Sequence, residues 1–244
     1  MKLITRQSYE VTGETCHNLE VEIPGRSRRE EIVVVGAHYD SVDGSPGAND
    51  NATGTAALLA LARSMARVEA ARTIRFVTFV NEEPPHFQSD LMGSAVYARR
   101  CHQRGERIVA MLSLETIGYY SDARHSQHYP FPLGLVYPWQ GNFIAFVANT
   151  DSADLVQQCI RVFRSEVQFP SEGAALPSGL PGIGSSDHWA FWQEGYSAVM
   201  ITDTAPFRYP HYHTTQDTPD KIDFDRMARV NEGIEKVVRA LINP

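Results

Sequence analysis

A chain of 244 residues with 43% hydrophobic content can bury a sizeable core and reads as a single domain spanning residues 1–244. Its formal net charge is −7, and the charges are interspersed with no Lys/Arg-rich run, which argues against nucleic acid or an anionic membrane as a partner. The most apolar stretch, Ala56 to Ala66, is interrupted by Arg63 and is too short to cross a bilayer.

The first residues, Met1 to Arg6, lack the apolar core of a signal peptide, so a native N-terminus would imply a cytoplasmic protein. Three widely spaced cysteines, Cys16, Cys101 and Cys159, offer neither a disulfide framework nor a C-x-x-C metal site, and each reads as a small apolar residue.

Strand and helix patterns alternate along the chain. Asn18 to Ile23 has the period of a half-buried strand, with Leu19, Val21 and Ile23 on one face. Ile32 to Ala37 is a β-branched run suited to a strand covered on both faces. A Gly/Ser/Pro/Asp-rich loop, Asp40 to Asn49, leads into a helix from about Asn51 to Val68. That helix is apolar nearly all round at its start and is expected to pack into the body.

Thr73 to Val80 reads as a strand, Leu91 to Gln103 as a helix, Arg107 to Ile117 and Asn142 to Ala148 as strands, and Ser152 to Glu166 as an amphipathic helix. Phe169 to Gly184, rich in Pro, Gly and Ser, is expected to be a long loop serving as a rim or lid. Ser186 to Glu194 is helical, Ser197 to Thr202 is a short buried strand, and Asp225 to Ile242 is a closing amphipathic helix. Strands separated by helices of this length predict a three-layer α/β/α sandwich around a mixed, mostly parallel sheet, a fold that places its ligands in the loops after buried strands.

Glu82 and Glu83 stand in such a loop, just beyond the run Phe76 to Val80. Adjacent carboxylates there can divide the work of a metallohydrolase, one holding an ion and the other moving a proton. His38 closes the strand Ile32 to Ala37, Asp50 precedes the long helix, Glu115 falls near the end of Arg107 to Ile117, and His213 lies in a late loop. With Glu83 they form a mixed nitrogen and oxygen set suited to zinc, with manganese or cobalt able to substitute. If one carboxylate bridges, five such side chains hold two ions about 3.5–4 Å apart. Taken singly, His38 could be a strand-end histidine and Asp50 a helix N-cap.

These segments resemble the M28 zinc aminopeptidases. The resemblance is carried by His38-Tyr39-Asp40-Ser41, Gly47-Ala48-Asn49-Asp50-Asn51-Ala52-Thr53-Gly54, Asn81-Glu82-Glu83, Leu114-Glu115-Thr116-Ile117-Gly118, Ser186-Asp187-His188 and Tyr212-His213-Thr214, in the family order. It implies a zinc-dependent exopeptidase fold and two zinc ions bridged by Asp50, with His38 and Glu115 completing one site and Glu83 and His213 the other. It further implies Glu82 as general base, Asp40 as the carboxylate that orients the His38 ring, and Tyr212 as a donor to the developing oxyanion. The implied partners are peptides with a free N-terminus.

The match departs from the family at Glu115, where many members carry Asp, and at the N-terminus, which lacks the usual leading helix. The second departure would leave core surface that a homodimer could cover. Two other activities are consistent with the fold: a single-zinc glutaminyl cyclase and a non-catalytic peptidase-like binding domain. Serine-protease chemistry is excluded by the absence of a G-x-S-x-G elbow, and Asn51-Ala52-Thr53 lies inside the proposed metal motif, where a glycan has no room. The first-residue pocket is expected to draw on Phe87, Met92, Ile117, Tyr119, Tyr120 and the Phe207-Arg208-Tyr209 loop.

Overall fold

The computed structural model describes residues 3–244. Eight strands form one sheet: β1 (Leu3–Val11), β2 (Glu14–Ile23), β3 (Arg28–His38), β4 (Arg72–Phe79), β5 (Arg107–Glu115), β6 (Ile144–Asn149), β7 (Ser171–Leu176) and β8 (Ala198–Thr202), in the order β1-β2-β4-β3-β5-β8-β6-β7. The central four, β4-β3-β5-β8, are mutually parallel. An antiparallel hairpin, β1–β2, closes one edge. At the other edge β6 and β7 run parallel to each other but antiparallel to β8.

Strand alternation sorts the core into two layers. Along β3, Val33, Val35 and Ala37 face α1 (Gly54–Ser64), α3 (Ala153–Glu166) and α5 (Phe224–Ile242), sharing a cluster with Leu58, Phe163 and Val237. The alternate residues Ile32 and Val34 face α2 (Gly93–Gln103) and α4 (His188–Gln193), meeting Tyr97 and Phe191. β3 is therefore covered on both sides, which is why its sequence is a continuous apolar run rather than an alternation. The architecture is the expected α/β/α sandwich with a mixed, mostly parallel sheet.

Three local expectations are corrected. First, β7 lies inside the segment read as a loop from Phe169 to Gly184. Its sequence, Ser-Glu-Gly-Ala-Ala-Leu, has little of the β-branched character that marks strands, and its pairing comes from β6 rather than from propensity.

Second, β1 precedes the first expected strand. Its register with β2 ends at the pair Val11 and Glu14, and the two residues between, Thr12 and Gly13, both have positive φ (50° and 89°) as a two-residue hairpin turn requires.

Third, α1 begins at Gly54 and ends at Ser64, and only one side of it is buried. Ala57, Leu58 and Leu61 face the core, whereas Leu59 is 60% exposed. No helix among the described residues is long and apolar enough to cross a membrane.

Candidate metal centre

His38 is the last residue of β3 and Glu115 the last of β5, while Glu82 and Glu83 follow β4 by a few residues. Because β3, β4 and β5 are parallel, their C-terminal ends bring these side chains to one edge of the sheet. Asp50 reaches the same point from the irregular turn Ala48–Thr53 ahead of α1, and His213 from the loop after β8.

The chain bends sharply where the ligands sit. Asn81, Thr116 and His213, none of them glycine, have positive φ of 59°, 46° and 56°. Such conformations cost on the order of 1–3 kcal/mol each and persist only where surrounding contacts enforce them. Gly47, at φ 67°, opens the Asp50 turn, and a Cβ there would lie 2.7 Å from the Asp50 carbonyl oxygen.

The turn is clamped by its own asparagines. Asn51 Nδ2 donates to the Leu114 carbonyl (2.8 Å), and its Oδ1 accepts from the Thr116 and Gly54 amides (3.0 and 3.1 Å). Asn49 Nδ2 donates to Asp203 (3.0 Å) and Asn49 Oδ1 accepts from the Gly118 amide (3.0 Å). With Asn51 buried in this way, its sequon has no exposed amide to carry a glycan.

Two carboxylates that sequence reasoning missed complete the clamp. Asp217 accepts from the amides of Asn49 (2.8 Å) and Asp50 (3.1 Å) and from the Tyr209 hydroxyl (2.8 Å). Asp203 accepts from Asn49 and from the Tyr119 amide (2.8 Å), and burial pushes its carboxyl up to about 6. Asp50 therefore caps nothing: its amide is held by Asp217, and its side chain is free to face the site.

What it faces is a ring of ligand atoms. Asp50 Oδ1 lies 3.3 Å from His38 Nε2, and Asp50 Oδ2 lies 3.0 Å from His213 Nε2. Glu115 Oε2 is 3.2 Å from His38 Nε2, and Glu83 Oε2 is 3.3 Å from His213 Nε2. Bonds of about 2.0 Å arranged tetrahedrally separate ligand atoms by roughly 3.3 Å, so these spacings fit donors converging on shared ions. Glu82 Oε2 stands farther off, 3.9 Å from His38 Nε2.

Overlapping groups can each hold an ion: His38, Asp50 and Glu115; Asp50, Glu83 and His213; and His38, Glu82 and Glu83. His38 Nδ1 faces the Asp40 backbone carbonyl at 3.1 Å and the Asp40 carboxylate at 3.5 Å, which leaves Nε2 turned toward the ligands. Asp40 Oδ2 also accepts from the Glu83 amide (3.1 Å).

The electrostatics call for cations. Asp50, Glu82, Glu83 and Glu115 are all buried, and among the described residues their ion-pair partners are His38 and His213, with no Lys or Arg. Burial, then the neighbouring charges of Glu115, Asp187 and Glu83, push the Glu82 carboxyl well above the usual carboxylate range despite His38. Burial likewise raises Glu115 to about 7. Burial would raise Asp50 too, but the His213 and His38 imidazoles hold it down at about 2. His213, bonded to Asp50 and Glu83, rises to about 10.

His38 Nε2 and Glu83 Oε1 are buried without a hydrogen-bond partner. Divalent cations would satisfy both and neutralise the carboxylates, so the donor set fits a dinuclear centre. Asp187 is buried beside this group with both oxygens unpaired, and burial lifts it to about 7. Its neighbour His188 is a packed imidazole, with Nε2 2.7 Å from the Ile183 carbonyl and its ring edge-on to Trp192.

A profile described as Peptidase family M28 matches residues 18–238. The chain belongs to this family. The uncharacterized protein YfbL of Escherichia coli (strain K12) is 36% identical over 240 residues, covering 95% of this chain and 73% of that protein. Among solved structures, a zinc aminopeptidase from Bacillus subtilis superimposes with a TM-score of 0.74 at 25% identity, over 96% of this chain and 52% of that one. A glutaminyl cyclase from Fimbriiglobus ruber shares the fold, with a TM-score of 0.67 at 20% identity over 98% of this chain and 82% of that one. The chain spans about half the length of the curated leucine aminopeptidases that it matches, 54% in Arthroderma otae.

Next to the M28 centre lies a mostly apolar cavity, open to solvent, with Glu115 and Tyr212 among its lining residues. Of the residues expected to line it, only Phe207 does. Met92 and Ile117 are fully buried in the core, Tyr120 packs edge-on to Phe169, Tyr119 packs at a tilt against Tyr209, and Phe87 packs against the Met92 cluster. Arg208 lies behind the wall, donating to Gln127 (2.7 Å) and to the Phe143 carbonyl (2.8 Å). The walls come from β6, β7 and β8 and from the loops that follow β5, β7 and β8. Tyr212 stacks on His213 with ring centroids 3.8 Å apart and lines the cavity beside the ligands.

Proposed function

We propose that this chain is a metal-dependent aminopeptidase that removes the first residue of peptides with a free N-terminus, using two zinc ions and Glu82 as general base. The observation that carries the reading is the splitting of the Asp50 carboxylate, one oxygen 3.3 Å from His38 and the other 3.0 Å from His213. A carboxylate divided between two imidazoles, each with its own second carboxylate, is the arrangement of a bridging ligand. A single zinc needs fewer protein donors than the five that converge here and would leave buried groups unmatched, which disfavours the glutaminyl cyclase alternative.

In this reading Asp50 bridges, His38 and Glu115 complete one site, and Glu83 and His213 the other. Divalent ions held by these residues would supply Lewis acidity to the scissile carbonyl and to the attacking water. Glu82, farther from His38 Nε2 (3.9 Å) than Glu115 or Asp50, takes the proton of that water and returns it to the leaving amine. Burial holds its carboxyl above the usual carboxylate range. The Asp40 carbonyl and carboxylate keep the His38 ring turned with Nε2 toward the ligands, and the Tyr212 hydroxyl donates to the oxyanion as it forms.

The test joins metal stoichiometry by elemental analysis to amine release from aminoacyl p-nitroanilides. Two zinc ions per chain with amine release is the expected result. One zinc, no amine release and cyclisation of a peptide with N-terminal Gln would overturn it.

A further inference from the structure

The floor of the cavity is a row of residues in register across four strands. Glu115 of β5 pairs with Thr202 of β8, Thr202 with Ala145 of β6, and Ala145 with Glu172 of β7. Residues in register share a face of the sheet, and all four line the cavity. Three strand spacings separate the ends of this row, about 14 Å. One end is therefore the metal-site carboxylate Glu115, and the other is a second carboxylate, Glu172. Between and above them the surface is apolar, formed by Ala145, Val147, Met200, Phe143 and Phe207.

Strand alternation aims Glu172 inward. Glu172, Ala174 and Leu176 line the cavity, whereas Gly173 turns toward α3, where a Cβ would lie 3.0 Å from Ile160. Among the described residues no hydrogen bond reaches the Glu172 carboxylate. The nearest cation, Arg164, is 3.8 Å away and half exposed, with its guanidinium already donating to the Ser171 hydroxyl (3.1 Å) and carbonyl. Tyr129 and Tyr137, stacked at 6.0 Å, line the cavity as well, and their hydroxyls are spent on backbone carbonyls, so what they offer a ligand is their ring faces. An unbonded carboxylate beside aromatic rings at the end of an apolar trough is a receptor for a cation on a long apolar stem.

We propose that Glu172 makes this pocket selective for a first residue with a long cationic side chain, lysine or arginine, whose stem lies along the floor and whose charged tip meets the Glu172 carboxylate. The inference rests on the aminopeptidase reading of the metal centre and names the substrate class within it. Burial raises the Glu172 carboxyl above its ordinary value, although the Arg164 guanidinium beside it pulls the other way. Short side chains cannot span the trough, and long neutral ones fill it without satisfying Glu172.

The experiment compares arginine with citrulline, which has nearly the same shape and no charge, in two readouts. One is kcat/KM for the aminoacyl p-nitroanilides, and the other is calorimetric binding of argininamide and citrullinamide. The wild type should prefer arginine by about ten- to a hundredfold in both, the size of a charge-assisted hydrogen bond. Glu172→Gln should bring the ratio close to one, and Glu172→Lys should invert it, with melting curves confirming that both variants fold. Equal handling of the two by the wild type, or a preference that survives Glu172→Gln, overturns the proposal. Should no p-nitroanilide be cleaved while argininamide keeps its Glu172-dependent advantage, the pocket assignment stands and the hydrolase reading falls. Cleavage without that preference has the opposite meaning.

Discussion

Glu82→Gln separates a proton-transfer role from a ligand role. The substitution keeps the shape of the side chain and removes its capacity to accept and return a proton. Loss of a positioned general base costs about 10²–10⁴-fold in rate, or roughly 3–5 kcal/mol of barrier. Glu82 is only 5% exposed, so solvent bases have little access to stand in for it, and the loss should fall toward the upper end of that range. Geometry predicts that metal content survives: Glu82 lies 3.9 Å from His38 Nε2, against 3.2 Å for Glu115 and 3.3 Å for Asp50. Stability of the metal-free protein should hold or rise, because a buried carboxylate crowded by Glu115, Asp187 and Glu83 becomes neutral. The assay is kcat on a leucyl or arginyl p-nitroanilide alongside zinc per chain and the melting temperature. A kcat within a few-fold of wild type would refute the base assignment, and loss of one zinc equivalent would make Glu82 a ligand instead.

Removing metal with a chelator at pH 7 should lower the melting temperature, with recovery on adding zinc; an unchanged melting temperature would mean that the carboxylates need no ion. His213 stands at about 10 and His38 well above its ordinary value without metal, so zinc loading near neutral pH should release protons, seen as buffer-dependent binding heats; buffer-independent heats would contradict this. Asp217→Ala leaves the Asn49 and Asp50 amides and the Tyr209 hydroxyl unpaired, which should cost about 2–4 kcal/mol in denaturant unfolding and weaken zinc binding by about 10–100-fold. Unaltered zinc affinity would show that Asp217 does not position Asp50. Burial lowers His188 to about 4, below its unfolded value, so the unfolded chain alone takes up a proton as pH falls from about 6.5 to 4. That destabilises the fold by about 3 kcal/mol, and His188→Gln should flatten this part of the stability curve; a slope unaltered in the variant would assign it to other groups.

Most of the candidate ligands could be picked out because His38, Asp50, Glu83 and Glu115 stand beside a strand or helix whose pattern is strong, whereas His213 lies well inside a loop. β3 and β4 are continuous apolar runs, so His38 and Glu83 are marked by where those runs stop. Asp203 and Asp217 were not legible, since a carboxylate that accepts backbone amides carries no spacing signature of its own. The one cue was their position in the segment that follows the last short strand and carries His213. The backward bends at Asn81, Thr116 and His213 were equally hidden, because positive φ is normally announced by glycine and none stands there. Tertiary contacts, not local preference, hold those conformations.

The direction of β6 and β7 explains why the lining of the cavity beside the candidate centre left no mark in the sequence. Ligands collect at the C-terminal ends of β3, β4 and β5, so a reader who expects function after each strand finds them in order. β6 and β7 run the other way, which brings the N-terminal ends of those strands, Ala145 and Glu172, level with Glu115 and Thr202. Residues that form the floor therefore lie at strand beginnings and within strands, where no loop draws attention to them. β7 hides further, since its small residues give way to α3 on one face and leave an open trough on the other. The features that make β7 weak as a strand signal, small side chains and one isolated carboxylate, are those that let it serve as the floor of a cavity and place a charge at its far end.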